Sequence, residues 1–256
     1  MFKYLRLLLV CGPRIIWSYF AFLVKYSRHP EKYPLEVRYR KFRALAVFVC
    51  RHWHIDFKVQ NIEMLNEQKH ASLIISNHLS DFDPIALVAC SEKPITFVAK
   101  KEISHYPFIA RCLRSIDGVF IDRNDLRQEV RALQKVQELL SKNYINFAIF
   151  PEGTRNKDPL APVQEFKAGA LRSAFKANVP VVEMSLYGTF RPFKKSLHLK
   201  KYPVFMSFIK EYSTEDLVKT TTGDLAIKMR DEVQESVDDL RALDEKYMLA
   251  LSKKTT

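Results

Sequence analysis

His78 and Asp83 stand five positions apart in the run Asn77-His78-Leu79-Ser80-Asp81-Phe82-Asp83. Histidine exchanges a proton most readily near neutral pH. A neighbouring carboxylate fixes its tautomer and stabilises the imidazolium it becomes. On one helix, positions i and i+5 diverge by about 140°. The two side chains therefore meet only if a loop turns Asp83 back onto the imidazole. Asp83-Pro84 also reads as a helix N-cap followed by proline at the first helical position. A loop histidine can simply be a hydrogen-bonded one. On spacing alone, cap and catalysis are equally good readings of Asp83.

Three more groups of ionisable residues follow apolar runs. Lys100-Lys101-Glu102 follows Phe97–Ala99, Asp122-Arg123 follows Phe120-Ile121, and Pro151-Glu152-Gly153-Thr154-Arg155 follows Ala148–Phe150. In open α/β sheets, ligands bind beyond the carboxyl ends of the strands. If these strands are parallel neighbours, His78, Asp83, Lys100, Lys101, Arg123, Glu152 and Arg155 share one edge. That set suits base chemistry on a phosphate-bearing substrate. The plainer readings are a surface ion pair for Arg123 and an ordinary strand exit at 152–155, with Gly153 supplying backbone freedom. There is no Gly-x-Ser-x-Gly elbow, and Ser80 near His78 has no motif around it. Cys11, Cys50, Cys90 and Cys112 are scattered, with no Cys-x-x-Cys pair, so neither zinc nor thiol redox chemistry is indicated. His52 and His54 flank Trp53 without a third metal ligand.

The elements that must hold these residues alternate. Apolar strand-like runs fall at Ile55–Val59, Ser72–Ser76, Ile95–Ala99, Val119–Ile121, Ile145–Phe150 and Val181–Leu186. Helical patterns fall at 34–51, Pro84–Cys90, Phe108–Leu113, 126–140 and Ala168–Ala177, with a long one from Met229 to Leu251. Leu197–Leu199 and Val204–Ile209 suggest a further hairpin-like pair. The alternation predicts a three-layer α/β domain with a largely parallel mixed sheet flanked by helices.

The chain has 256 residues and a formal charge of +12. Its 47% hydrophobic content, six glycines and twelve prolines exclude collagenous, low-complexity and disordered classes. Residues 1–60 hold twelve basic and three acidic residues, a net of +9, whereas Ser213 onward is net −3. The basic N-terminus is also apolar: Leu5–Cys11 and Ile15–Val24 are separated by Gly12-Pro13-Arg14. A spanning helix needs about 20 apolar residues, and here Arg14 would lie near its centre with Pro13 interrupting it. No small-residue cleavage site marks a signal peptide. An interfacial anchor on an anionic membrane is preferred to a span or a buried helix pair. Residues 1–51 thus read as a helical membrane-docking module and 52–256 as the catalytic domain.

Asn77-His78-x4-Asp83, the Gly118–Arg123 stretch and Phe150-Pro151-Glu152-Gly153-Thr154-Arg155 occur in that order. Over roughly residues 55–190 the chain resembles the glycerolipid acyltransferases, in particular the lysophosphatidic acid (1-acylglycerol-3-phosphate) acyltransferases. The resemblance implies that His78 is a general base oriented by Asp83. It activates an acceptor hydroxyl that attacks an acyl thioester directly, giving phosphatidic acid without an acyl-enzyme. It also implies that Arg123, Glu152, Gly153, Thr154 and Arg155 bind the acceptor phosphate. Glu152 cannot do so by charge and is read as orienting an arginine or the acceptor hydroxyl. Lys100 and Lys101 are added as phosphate or CoA contacts. The family's Val-Pro-x-x-Pro element departs here to Val179-Pro180-Val181-Val182-Glu183. The implied donor is acyl-CoA or acyl-carrier protein, with no metal or other cofactor, at the cytoplasmic face of a membrane. The alternatives are the same chemistry on glycerol 3-phosphate or another lysophospholipid, a thioesterase in which His78 activates water, and a non-catalytic basic membrane- or nucleic-acid-binding module. No nucleic-acid-binding signature favours the last.

Overall fold

Leu73–Ser76, Asn146–Ile149 and Val181–Tyr187 are buried along their whole length, as apolar runs in the middle of a parallel sheet must be. The computed structural model describes residues 2–122, 124–194 and 199–253. Its seven strands are β1 (Ile55–Gln60), β2 (Leu73–Ser76), β3 (Ile95–Lys100), β4 (Val119–Ile121), β5 (Asn146–Ile149), β6 (Val181–Tyr187) and β7 (Tyr202–Tyr212). They lie in the order β1-β7-β6-β2-β5-β3-β4. Every neighbouring pair is parallel except β6 and β7, so β1 and β7 run against the other five strands. The fold is the expected helix-flanked mixed sheet. The hairpin-like pair is corrected: Val204–Ile209 belongs to the long β7, whose antiparallel partner is β6. Of its proposed mate, Leu199 is outside any strand and 197–198 lie outside the described residues.

The helices are α1 (Phe2–Ser18), α2 (Val24–Arg28), α3 (Leu35–His52), α4 (Glu63–Asn66), α5 (Asp83–Cys90), α6 (Pro107–Ser115), α7 (Leu126–Ser141), α8 (Arg172–Ala177), α9 (Thr214–Val218) and α10 (Thr222–Lys253). Side chains alternate across the sheet. Leu73, Ile75 and Phe147 pack with Val136 of α7 and with Met229 and Val233 of α10. Ile74 packs on the opposite side with Tyr39 and Ala46 of α3, Leu87 of α5 and Leu113 of α6. Local signals start two of the helices. Asp125 accepts from the Arg127 and Gln128 amides at the head of α7, and Ser213 and Asp216 form a capping box on α9.

The N-terminal segment is helical as expected, but Pro13 does not interrupt it. Helix runs through Pro13, and α1 passes into α2 by one π-helical turn at Tyr19–Leu23. Proline costs the helix only its own N–H bond and some crowding, and α1 is supported by packing on α3. Phe22, Leu23 and Tyr26 are buried against Leu45 and Cys112. Leu8, Leu9, Ile16, Trp17 and Phe20 are exposed. By length and composition, Leu8–Arg28 is long and apolar enough to cross a membrane, with 22% of its apolar window buried in the protein.

Arg38 of α3 is 1% exposed. It donates to the carbonyls of Tyr33 (3.0 Å) and Ser115 (2.7 Å), to Asp117 Oδ2 (2.7 Å) and to the Tyr144 hydroxyl (2.8 Å). One side chain thus fastens α3 to the end of α6 and to the loops before β4 and β5. Gly118 is required in that loop, because a Cβ there would lie 2.2 Å from the Leu113 side chain.

Candidate active site

The backbone leaves the sheet at the end of β2, and Asn77 extends the pairing by one more rung with its side chain. Its Nδ2 donates to the Leu186 carbonyl (2.9 Å) and its Oδ1 accepts from the Leu186 amide (2.8 Å). The amide takes the place of a strand backbone and leaves the next residue, His78, at the sheet edge.

Asp83 does turn back onto His78. His78 Nδ1 donates to Asp83 Oδ2 at 2.7 Å. The same oxygen accepts from the amides of Leu79 (2.8 Å) and Ser80 (3.0 Å). Asp83 is fully buried, while the His78 side chain is 17% exposed. The cap reading is corrected: Asp83 is the first residue of α5, not its cap, and Phe82 holds the cap position without a side-chain bond. The carboxylate takes the amides of the loop behind it instead of those of the helix ahead. An ionised carboxylate only accepts, so the proton sits on Nδ1 and the lone pair is on Nε2. Nε2 makes no hydrogen bond among the described residues. Ser80 Oγ accepts from the Phe82 amide (3.1 Å), which gives this buried hydroxyl a role in the loop.

The second loop closes on the first. Glu152 is 4% exposed. Its Oε1 accepts the His78 backbone N–H at 2.6 Å, and its Oε2 accepts from the Gln164 amide at 3.3 Å. Both Glu152 oxygens hold backbone amides, and no arginine pairs with it among the described residues. Burial pushes its carboxyl up to about 7, against the opposing pull of those two amides. The Asn156 amide donates to the His78 carbonyl (2.8 Å), and Arg155 pairs with Asp81. Gly153 has φ +74°, the left-handed conformation that favours glycine. Thr154 and Arg155 are exposed beside it. Phe150 stacks under the His78 ring, with centroids 4.1 Å apart and planes 11° apart, and Phe97 follows at 6.5 Å.

The other expected residues lie further along the same edge. Lys100 ends β3 and faces Glu102 at 3.6 Å; Lys101 Nζ contacts Asp122 Oδ2 at 3.0 Å. Both lysines are exposed. Arg123 lies outside the described residues. Glu183, where the sequence departs from the family's proline, is fully buried in β6. Burial and the nearby Glu232 carboxylate push its carboxyl up to about 9. Among the described residues, no three or more His, Cys, Asp or Glu side chains are grouped to hold a metal ion.

Sequence reasoning gave no role to Asn77, Phe150 or Asn156. Asn77 and Phe150 stand first in the two motifs, and that membership was the available signal. Nothing local marks Asn156 as a partner of His78.

Fold and site define an α/β enzyme whose histidine–aspartate pair stands at the carboxyl edge of a mixed sheet. Residues 56–187 match the family described as Acyltransferase. A probable 1-acyl-sn-glycerol-3-phosphate acyltransferase of Mycoplasma pneumoniae is 34% identical over 185 residues, covering 70% of this chain and 67% of that one. A 1-acyl-sn-glycerol-3-phosphate acyltransferase of Saccharomyces cerevisiae is 29% identical over 73% of this chain and 61% of its own. The crystal structure of the Thermotoga maritima 1-acyl-sn-glycerophosphate acyltransferase, PlsC, superposes with a TM-score of 0.73 at 24% identity, covering 94% of this chain and 98% of that one. The chain belongs to the acyltransferase family and is an O-acyltransferase enzyme.

Proposed function

We propose that the protein transfers an acyl group from an acyl thioester to the free sn-2 hydroxyl of 1-acylglycerol 3-phosphate, with His78 as general base. The observation that carries this reading is the His78 Nδ1–Asp83 Oδ2 bond, which directs the basic Nε2 away from the carboxylate. Nε2 takes the hydroxyl proton as the oxygen attacks the thioester carbonyl. The C–S bond then breaks, the new ester remains, and the leaving thiolate takes the proton back from the imidazolium. The buried Asp83 stabilises that cation. The acceptor is supported by the relatives, which are named as 1-acyl-sn-glycerol-3-phosphate acyltransferases.

Arg155 at the site, Arg123, Lys100 and Lys101 supply positive charge for the acceptor phosphate or for a CoA donor, and Thr154 adds a hydroxyl. Glu152 and Gly153 shape the turn that carries Thr154 and Arg155. The reaction needs no metal or other cofactor, and the acyl-CoA or acyl-carrier protein is a substrate.

The N-terminal helix docks the enzyme on an anionic bilayer at its cytoplasmic face, where lysolipid and thioester meet. Its buried Leu23 and Tyr26 and its exposed Trp17 and Phe20 suit a helix with one face on protein and the other on lipid. Arg14 lies 4.7 Å from the Trp17 ring and 5.9 Å from the Phe48 ring, so its charge is held against α3.

The test is an acceptor panel of lysophosphatidic acid, glycerol 3-phosphate and a phosphate-free monoacylglycerol, each with acyl-CoA and acyl-carrier-protein donors. Lysophosphatidic acid should be preferred, and His78→Ala should lose ~100-fold or more in kcat. Equal use of the phosphate-free acceptor, or full activity in His78→Ala, overturns the reading.

A further inference from the structure

Three segments distant in sequence meet in one aromatic group beside the catalytic loop. Trp53 caps the end of α3, its amide donating to the Val49 carbonyl at 3.0 Å. Phe82, 1% exposed, immediately precedes Asp83. Phe193 lies in the turn after β6 and is 47% exposed. The Trp53 and Phe82 rings stack nearly parallel, with centroids 6.0 Å apart and planes 12° apart. Phe193 meets both edge-on, at 5.3 Å from Trp53 and 5.9 Å from Phe82.

Phe82 is the only member inside the His78–Asp83 loop, and its backbone is committed at both ends. Its amide donates to Ser80 Oγ at 3.1 Å, and its carbonyl accepts from the Ala86 amide at 2.9 Å. Phe82 is joined to Asp83 by one peptide bond, so the packing of its ring bears on the placement of the Asp83 backbone. The other two rings are fixed from outside the loop. Trp53 is held through α3, which Arg38 fastens to the domain. Phe193 is held by its turn, where Arg191 donates to the Pro203 carbonyl at 3.0 Å and pairs with Asp244. Two rings carried on fastened segments thus bracket the buried Phe82 ring.

We infer that Trp53 is a positioning residue for the His78–Asp83 pair, acting through Phe82, with Phe193 as the second wall of the clasp. Neither Trp53 nor Phe193 touches the reacting groups. This inference rests on the reading of His78 as the base, because only then does the Asp83 position govern turnover. Near-attack geometry is sensitive to sub-ångström shifts, so loss of the indole should lower kcat ~10–100-fold. KM for both substrates should change less than ~2-fold, since substrate contacts are intact.

The experiment compares Trp53→Ala, Trp53→Phe and Phe193→Ala in the full chain, by steady-state kinetics and by NMR of the His78 Nδ1–H proton without substrate. Expected are a lowered kcat with unchanged KM in Trp53→Ala, a shifted or broadened Nδ1–H resonance, recovery of both in Trp53→Phe, and a smaller change of the same kind in Phe193→Ala. Wild-type kcat and resonance in Trp53→Ala, or a change confined to KM, overturn the inference. Should Trp53→Ala fail to fold, Phe193→Ala decides: a wild-type kcat and resonance there overturn it. The resonance needs no turnover, so it reports on the clasp even if the proposed acceptor proves wrong.

Discussion

Glu152 Oε1 accepts the backbone N–H of His78 at 2.6 Å. Two loops 74 residues apart in sequence are joined at the residue that holds the proposed base. The bond grips the main chain, so it fixes where the imidazole starts and leaves its ring nitrogens for chemistry. The contact gives this buried carboxylate a structural role in the loop that carries His78.

That carboxyl is raised from 4.5 to about 7 by burial. A raised acid is favoured in its protonated form by folding. Its stabilisation is fully present below about pH 4.5 and is lost as pH climbs towards 7. Glu152→Gln keeps an acceptor for the His78 amide and removes the titration. Thermal melts from pH 5 to 7 should show a flatter decline in Tm for this variant than for the wild type. Parallel declines would contradict the assignment.

Glu183 behaves alike over a wider window. Folding raises it from 4.5 to about 9, so its penalty continues to grow from pH 7 to 9, after that of Glu152 has ended. Neither of its carboxyl oxygens has a hydrogen-bond partner among the described residues. Glu183→Gln should therefore raise Tm at pH 8.5 by several degrees and do little at pH 5. A uniform shift at both pH values would point to packing instead of charge.

Asn77→Ala strips both bonds from the Leu186 backbone in a fully buried place. Leaving two such groups unpaired costs roughly 2–5 kcal/mol. Urea denaturation should show that loss as a lower midpoint with an unchanged slope. A loss under 1 kcal/mol would mean that water replaces the side chain.

Trp17 and Phe20 are 54% and 71% exposed on the N-terminal helix. Replacing both with serine removes apolar area from the proposed lipid-facing side without opening the core. Binding to anionic vesicles should weaken ~10-fold or more, while Tm stays within about 2 °C. Unaltered vesicle binding would place the contact elsewhere.

Much of the fold was legible because its determinants are local. The mostly apolar β2, β5 and β6 read as central strands despite Glu183 and Ser185 in β6, and the period of α7 matched its buried Val136 and Leu140. The chemical motifs were legible too, since each follows a strand directly. Contacts made at long range were not. Nothing near residue 204 reveals that β7 pairs with both β1 and β6, and no spacing links Glu152 to the His78 amide. Asp83-Pro84 was undecided locally because cap and loop anchor use the same residue types. Only the folded loop separates them.

Arg38 binds α3 to three other segments with every nitrogen of its guanidinium engaged. The seam between the N-terminal helices and the sheet domain therefore behaves as a weld and not as a hinge. A bilayer that grips α1 sets the tilt of the whole catalytic edge. Under the proposed docking, the distance from His78 to the headgroup plane is a constant of the protein. Under that docking, delivery of the acceptor to His78 depends on movement of the lipid and not on a swing of the sheet domain.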